Sequence, residues 1–150
     1  MTTHVQNPTD LLDLTGQPMG TTGWLEITQQ QVNLFADATD DHQWIHVDPE
    51  RAKDGPFGGT IAHGYLTLSL APLFLAEAIR IENLTAGLNY GLNKVRFPAP
   101  VSVGGRIRAQ VMLSAAKERP MGIEATFAIT VELEGSTRPA CVAELVVLYQ

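Results

Sequence analysis

The sequence predicts an α+β domain in which a curled antiparallel sheet wraps one buried helix. Three observations predict it. The stretch from Ala62 to about Arg80 is apolar almost all round, the pattern of a helix packed on every side. The second half holds four runs rich in β-branched and apolar residues: Leu88 to Phe97, Arg106 to Ala115, Ile123 to Glu134 and Arg138 to Tyr149. Short turns join these runs, at Pro98-Ala99-Pro100 with Gly104-Gly105, at Arg119-Pro120-Met121-Gly122 and at Glu134-Gly135-Ser136, as consecutive antiparallel strands require.

The remaining elements follow in chain order. Residues 1–8 carry no pattern and are expected to form a loose N-terminal extension of one 150-residue domain. Leu11, Leu12 and Leu14 give a short helix one apolar side from about Thr9 to Leu14, before Gly16 and Gly20 break the chain. Gly23 to Ile27 reads as a short strand. Thr28 with Gln31 three positions later is a capping-box signal. The helix it starts has Val32, Leu34, Phe35 and Ala38 as its apolar face and ends in Thr39-Asp40-Asp41. Residues 42–60 look irregular, apart from one helical turn at Pro49 to Lys53, where proline suits a first helical position. Within the apolar helix, Pro72 removes a hydrogen bond to the Leu68 carbonyl, so a bend is expected near Leu68.

Composition narrows the function. A net charge of -6 provides no basic footprint for nucleic acid or an anionic membrane. The single cysteine, Cys141, excludes an intrachain disulfide and a cysteine metal cluster. The N-terminal MTTHVQNPTD lacks the basic and apolar regions of a signal peptide. The longest apolar run is interrupted by Thr67, Ser69, Pro72 and Glu77 and falls short of the roughly 20 residues a membrane span needs. A cytoplasmic protein is the expectation. No zinc spacing, P-loop, dinucleotide fingerprint or nucleophile elbow is present.

The residues suited to chemistry lie between Phe35 and Gly64. Asp41 precedes His46 by five positions, and a carboxylate and an imidazole together hold a water, take a proton from it and supply one to a substrate. On a regular helix that spacing points the two about 140° apart, so a bend is needed for them to converge. The alternative is that Asp41 caps a turn and His46 is a satisfied core histidine. Asp40 and Asp48 are the rival carboxylates. Asp48 precedes a proline and reads as a helix cap; His42 reads as solvent-facing. Ala62-His63-Gly64 heads the apolar helix, where free N–H groups and the positive dipole end gather. Gly64 N–H suits a developing oxyanion, or the glycine serves only tight packing. For His63 the structural role is preferred. Lys94 and Arg96, like Arg106 and Arg108, sit two apart on a strand, as solvated charges or as contacts for the phosphates of a carrier such as coenzyme A.

These residues carry a family likeness. Asp41-His42-Gln43-Trp44-Ile45-His46 resembles the hydratase motif of the MaoC-like (R)-specific enoyl-CoA hydratases. IAHGYLTLSL at 61–70 resembles the start of that family's central helix, and NYGLNKVRFPAPVSVGGRIRA at 89–109 its strand-turn-strand segment. The likeness covers about residues 20–150 and extends to the single-domain mycobacterial-type hydratases, which share the wording DHQWIHVDPERA. It implies a hot-dog fold, with a long central helix wrapped by the sheet, and a homodimer whose sheets join edge to edge. By the same resemblance, Asp41 and His46 activate one water for addition to a trans-2-enoyl-CoA, giving an (R)-3-hydroxyacyl-CoA, with dehydration the reverse. The Gly64 N–H, within the substrate-binding trio Ala62, His63 and Gly64, holds the thioester oxygen. The implied partner is an acyl thioester of coenzyme A or acyl carrier protein, with no metal or other cofactor.

Two departures stand out. The motif's asparagine-proline is Gln43-Trp44, and the glycine before the catalytic aspartate is Asp40. They bear on chain-length preference and optimum pH, and Trp44 is expected to fill space near the acyl pocket. Two alternatives remain: a hot-dog acyl-CoA thioesterase, which needs a carboxylate on or near the helix where only Glu77 stands, and a non-catalytic acyl-binding or partner subunit.

Overall fold

Strand patterning dominates the architecture in a computed structural model that describes residues 1–150. In chain order the elements are β1 (Thr3–Val5), a 3-10 helix (Pro8–Asp13), β2 (Pro18–Thr21), β3 (Leu25–Glu26), α1 (Gln29–Thr39), α2 (Trp44–Val47), α3 (Pro49–Ala52), α4 (Gly64–Ser69), α5 (Ala71–Ala78), β4 (Ile79–Ile81), β5 (Gly87–Arg96), β6 (Arg106–Arg119), β7 (Gly122–Leu133) and β8 (Cys141–Tyr149). The main sheet runs in the order β2-β6-β7-β8-β5, with β3 also paired to β6, and every pairing in it is antiparallel. Residues of β7 alternate with period 2, so Ile123, Ala125, Phe127, Ile129 and Val131 all face inward. Ala125, Phe127, Ile129 and Val131 meet Leu66 of α4 and Phe74, Leu75 and Ala78 of α5 in one continuous core. The sheet therefore curls over the helical segment, as the sequence predicts.

Local signals hold where they were explicit. Thr28 Oγ1 accepts from the Gln31 N–H at 3.2 Å and starts α1. Asp48 accepts from the Arg51 N–H at 3.1 Å and caps α3. Non-local pairing overrides the rest. Residues 1–8 are not loose: β1 pairs in parallel with β4, which buries Val5, and Asn7 opens the 3-10 helix. That pairing also claims Ile79–Ile81, so the helix expected to reach Arg80 stops at Ala78. The long central helix is divided at Leu70, two residues beyond the expected bend and just ahead of Pro72. The strand expected from Gly23 to Ile27 is only Leu25–Glu26, while β6 runs past Ala115 to Arg119.

One side of the helical segment is not wrapped. Tyr65 is 71% and Leu73 53% exposed, and Leu88, Tyr90, Leu92 and Phe97 of the neighbouring edge are exposed with them. A helix apolar all round was expected to be covered on every side, and within one chain this sheet has no strand beyond β5 to cover it. The connection from β5 to β6 turns back toward α4. There the Ala62 N–H donates to the Val101 carbonyl at 2.8 Å and the Val103 N–H to the Thr60 carbonyl at 3.0 Å, fixing the entry to the helix.

Candidate active site

Asp41, His46 and His63 converge at the head of α4. One donor atom from each, a carboxylate oxygen and two ring nitrogens, lies within 4.8 Å of the others. The bend that the Asp41–His46 spacing demands is made by Asp40, whose left-handed backbone (φ 60°) ends α1 and turns the chain toward α2. His46 rides on α2, a single turn that the sequence did not announce. Its backbone carbonyl accepts from Gln29 Nε2 at 2.7 Å, and the Ile61 N–H donates to the Ile45 carbonyl at 2.9 Å. Thus α1, α2 and the lead into α4 are tied around one point.

The ring of His46 is held in a defined state. A nitrogen facing a carbonyl must donate, so the 2.7 Å contact from Nδ1 to the Ile61 oxygen places the hydrogen on Nδ1 and the lone pair on Nε2. The side chain is only 7% exposed. Burial pushes its pKa below the ordinary histidine value, opposed by the hydrogen bond to Ile61 and the charge of Asp41 and assisted by His63. A neutral imidazole with a free Nε2 is the form a general base requires.

His63 lies directly against it. The two imidazoles stack at 3.8 Å between centroids and 23° between planes, with Phe35 tilted onto His63 at 4.9 Å. His63 Nε2 donates to the Asp41 backbone carbonyl at 2.9 Å. Gly64 follows as the first residue of α4, where the N–H has no acceptor within the helix. A Cβ at Gly64 would meet the Phe97 ring at 3.2 Å, so glycine also permits that close approach. The packing reading of Gly64 is met by that contact, and its N–H stands at the open end of α4. Ala62 is buried beside it in the core.

The other candidates separate cleanly. Asp40 is 98% exposed and faces His42, which also bonds Asp37 at 2.9 Å; that bond raises the His42 pKa above its usual value. Neither belongs to the cluster. Asp48 is a cap. Trp44 does not fill the apolar cavity: it stacks under the Arg51 guanidinium at 4.3 Å and packs against Gly55, because α2 and α3 fold that edge of the loop onto itself. Lys94 and Arg96 are exposed on β5, on the strand end that leads to Phe97. Arg106 and Arg108 instead pair with Glu134 and Glu132 and pack over Trp24. Glu77 accepts the Gly23 N–H at 2.7 Å near the far end of the helical segment, remote from Gly64 in the chain.

The three-residue cluster suits a water-sized group better than a metal ion. Zinc needs its ligands at about 2.0–2.1 Å, with each lone pair aimed at the ion. Two rings stacked 3.8 Å apart and nearly parallel do not aim their in-plane lone pairs at one such point. An apolar cavity of about 610 Å³ opens beyond Leu68, lined by Leu68, Ala71, Leu75, Leu145, Val147 and Tyr149 among others, and none of Asp41, His46, His63 or Gly64 is in its wall. Leu68 stands one helical turn beyond Gly64. No signal in the sequence announced this cavity.

Comparison with known proteins identifies the family. The MaoC like domain model matches residues 10–134. The chain is 55% identical over 141 residues to 3-hydroxyacyl-thioester dehydratase Z of Mycobacterium tuberculosis, covering 93% of each. It is 44% identical over 150 residues to Nodulation protein N of Rhizobium leguminosarum, covering 98% of this chain and 93% of the relative. Among solved structures, the (R)-hydratase from A. caviae involved in PHA biosynthesis superposes with a TM-score of 0.74 at 26% identity, over 91% of this chain and 96% of that one. With a hot-dog fold and a domain match over most of its length, the chain belongs to the MaoC-like dehydratase family.

Proposed function

We propose that this MaoC-like dehydratase adds water to a trans-2-enoyl-CoA, giving the (R)-3-hydroxyacyl-CoA, and catalyses the reverse dehydration. The observation that carries the reading is the convergence of Asp41 and His46, with Nε2 of a neutral, buried imidazole left free. The dehydratase and (R)-hydratase names of its relatives support it. His46 Nε2 takes one proton from water as the water oxygen bonds to C3. The C2–C3 π electrons move onto the thioester oxygen, where Gly64 N–H and the positive end of α4 steady the charge. The imidazolium returns its proton to C2 as the carbonyl re-forms. The Asp41 carboxylate steadies the imidazolium between those two transfers.

The apolar cavity one turn from Gly64 receives the acyl chain in this reading. Lys94 and Arg96, at the end of β5 just before Phe97, meet the phosphates of the carrier. The chemistry calls for no metal or redox cofactor. Steady-state hydration of crotonyl-CoA tests the catalytic and the phosphate-contact assignments together. Asp41→Asn is expected to lose about 10²–10⁴-fold in kcat, while the double change Lys94→Ala, Arg96→Ala raises KM and spares kcat. Full activity of the Asp41→Asn protein would end the assignment.

The uncovered edge supports a homodimer. Leu88, Tyr90 and Leu92 are exposed on β5, the edge strand of the sheet, and a second copy joined along β5 covers that edge. Light scattering should give twice the chain mass of 16.3 kDa, and a monomer at micromolar concentration would refute it.

A further inference from the structure

One buried polar atom stands out beside the reacting pair. His63 is 3% exposed, and its Nδ1 is the single buried side-chain nitrogen or oxygen without a hydrogen-bond partner in the protein. Leaving such an atom unpartnered costs about 1–3 kcal/mol, so native structures rarely tolerate one without a use for it. Its chemical state follows from its neighbour: Nε2 donates to the Asp41 carbonyl, which leaves the lone pair of the neutral ring on Nδ1. The ring is also fixed in place, stacked on His46 and flanked by Phe35.

We propose that His63 is a third catalytic residue of this site, whose Nδ1 accepts the hydrogen that the reacting water keeps. The inference rests on the hydratase reading. In hydration a water loses one hydrogen to His46 and carries the other into the product hydroxyl. Asp41, His46 and His63 then divide the work. His46 moves the proton, Asp41 steadies the charge this creates, and His63 orients the oxygen through the hydrogen that never leaves it. The same contact binds the 3-hydroxyl group when the reaction runs backwards. It also accounts for a histidine at this core position. A phenylalanine would stack on His46 equally well, but it has neither the N–H that holds Asp41 nor the unpartnered lone pair of Nδ1.

The test compares two ligands that differ by one hydroxyl, (R)-3-hydroxybutyryl-CoA and butyryl-CoA, by titration calorimetry on the parent, His63→Phe and His63→Gln. The parent should bind the hydroxyacyl ligand about tenfold more tightly, the preference expected of one hydrogen bond. His63→Phe should abolish that preference with butyryl-CoA affinity unchanged, and lose kcat for crotonyl-CoA hydration with little change in KM. His63→Gln, which keeps an N–H and an acceptor, should recover part of both. A hydroxyl preference that survives in His63→Phe would overturn the proposal. So would loss of butyryl-CoA binding in both variants, which would make His63 structural. A parent that fails to hydrate crotonyl-CoA would instead remove the hydratase reading on which the proposal stands, and the variants would not be needed to see it.

Discussion

Replacing His46 with alanine should lower kcat for crotonyl-CoA hydration by about 10²–10⁴-fold, the range in which a positioned general base contributes. The reason is the geometry of one ring. Ile61 takes the Nδ1 hydrogen, so the only free lone pair lies on Nε2, close to Asp41. The pH profile of the parent provides a second reading of the same residue. The base works in its neutral form, so activity is present above the His46 pKa and lost as pH falls through it. Burial sets that pKa below the usual 6.5. The acid limb of kcat/KM should therefore lie below pH 6.5, and an acid limb above that value would contradict the assignment of His46 as the base.

The second large effect concerns Gly64. Gly64→Pro removes the N–H assigned to the thioester oxygen and should lower kcat by about 10²–10³-fold, as loss of one oxyanion donor does. The backbone accommodates the change. Position 64 opens α4, where proline is tolerated, and His63 already has the φ of -59° and ψ of 136° that a residue before proline prefers. Gly64→Ala is the control, because it keeps the N–H and adds a Cβ at a similar place against the Phe97 ring, 3.2 Å away. If the alanine variant loses as much as the proline variant, crowding of Phe97 explains the effect and the N–H has no role. A much smaller loss in alanine, within about tenfold, supports the donor.

What could be read from the sequence follows the range of the interaction. Thr28 and Asp48 act within three residues of themselves, and both were legible as caps. The four long strands carried their own alternation and turns. By contrast, β1 and β4 are three residues each and pair with one another across half of the chain, so neither carries enough pattern to announce itself. The turn α2 has no side-chain cap and only four residues. The uncovered face of α4 and α5 misled the reading for a related reason: an apolar helix predicts burial, but not whether the same chain supplies the cover.

The candidate site shows the same division. Spacing offered Asp41 and His46 as a pair without deciding it, and the family likeness favoured Asp41 over Asp40. In the structure Asp40 turns outward to His42, whereas Asp41 turns inward to the cluster. The contact from His63 to the Asp41 carbonyl spans 22 residues and ends on a backbone atom, which no spacing rule encodes. Trp44 looked like a pocket residue because it is large and apolar within the motif. Its ring instead stacks with Arg51, a partner available only once α3 has formed.

The most direct test of the account is the handedness of its product. Purified protein is incubated with crotonyl-CoA, and the 3-hydroxybutyryl-CoA formed is resolved with an (R)-specific or an (S)-specific dehydrogenase. The account predicts that essentially all of it is oxidised by the (R)-specific enzyme. Product consumed by the (S)-specific enzyme, or no hydration at all, would contradict it.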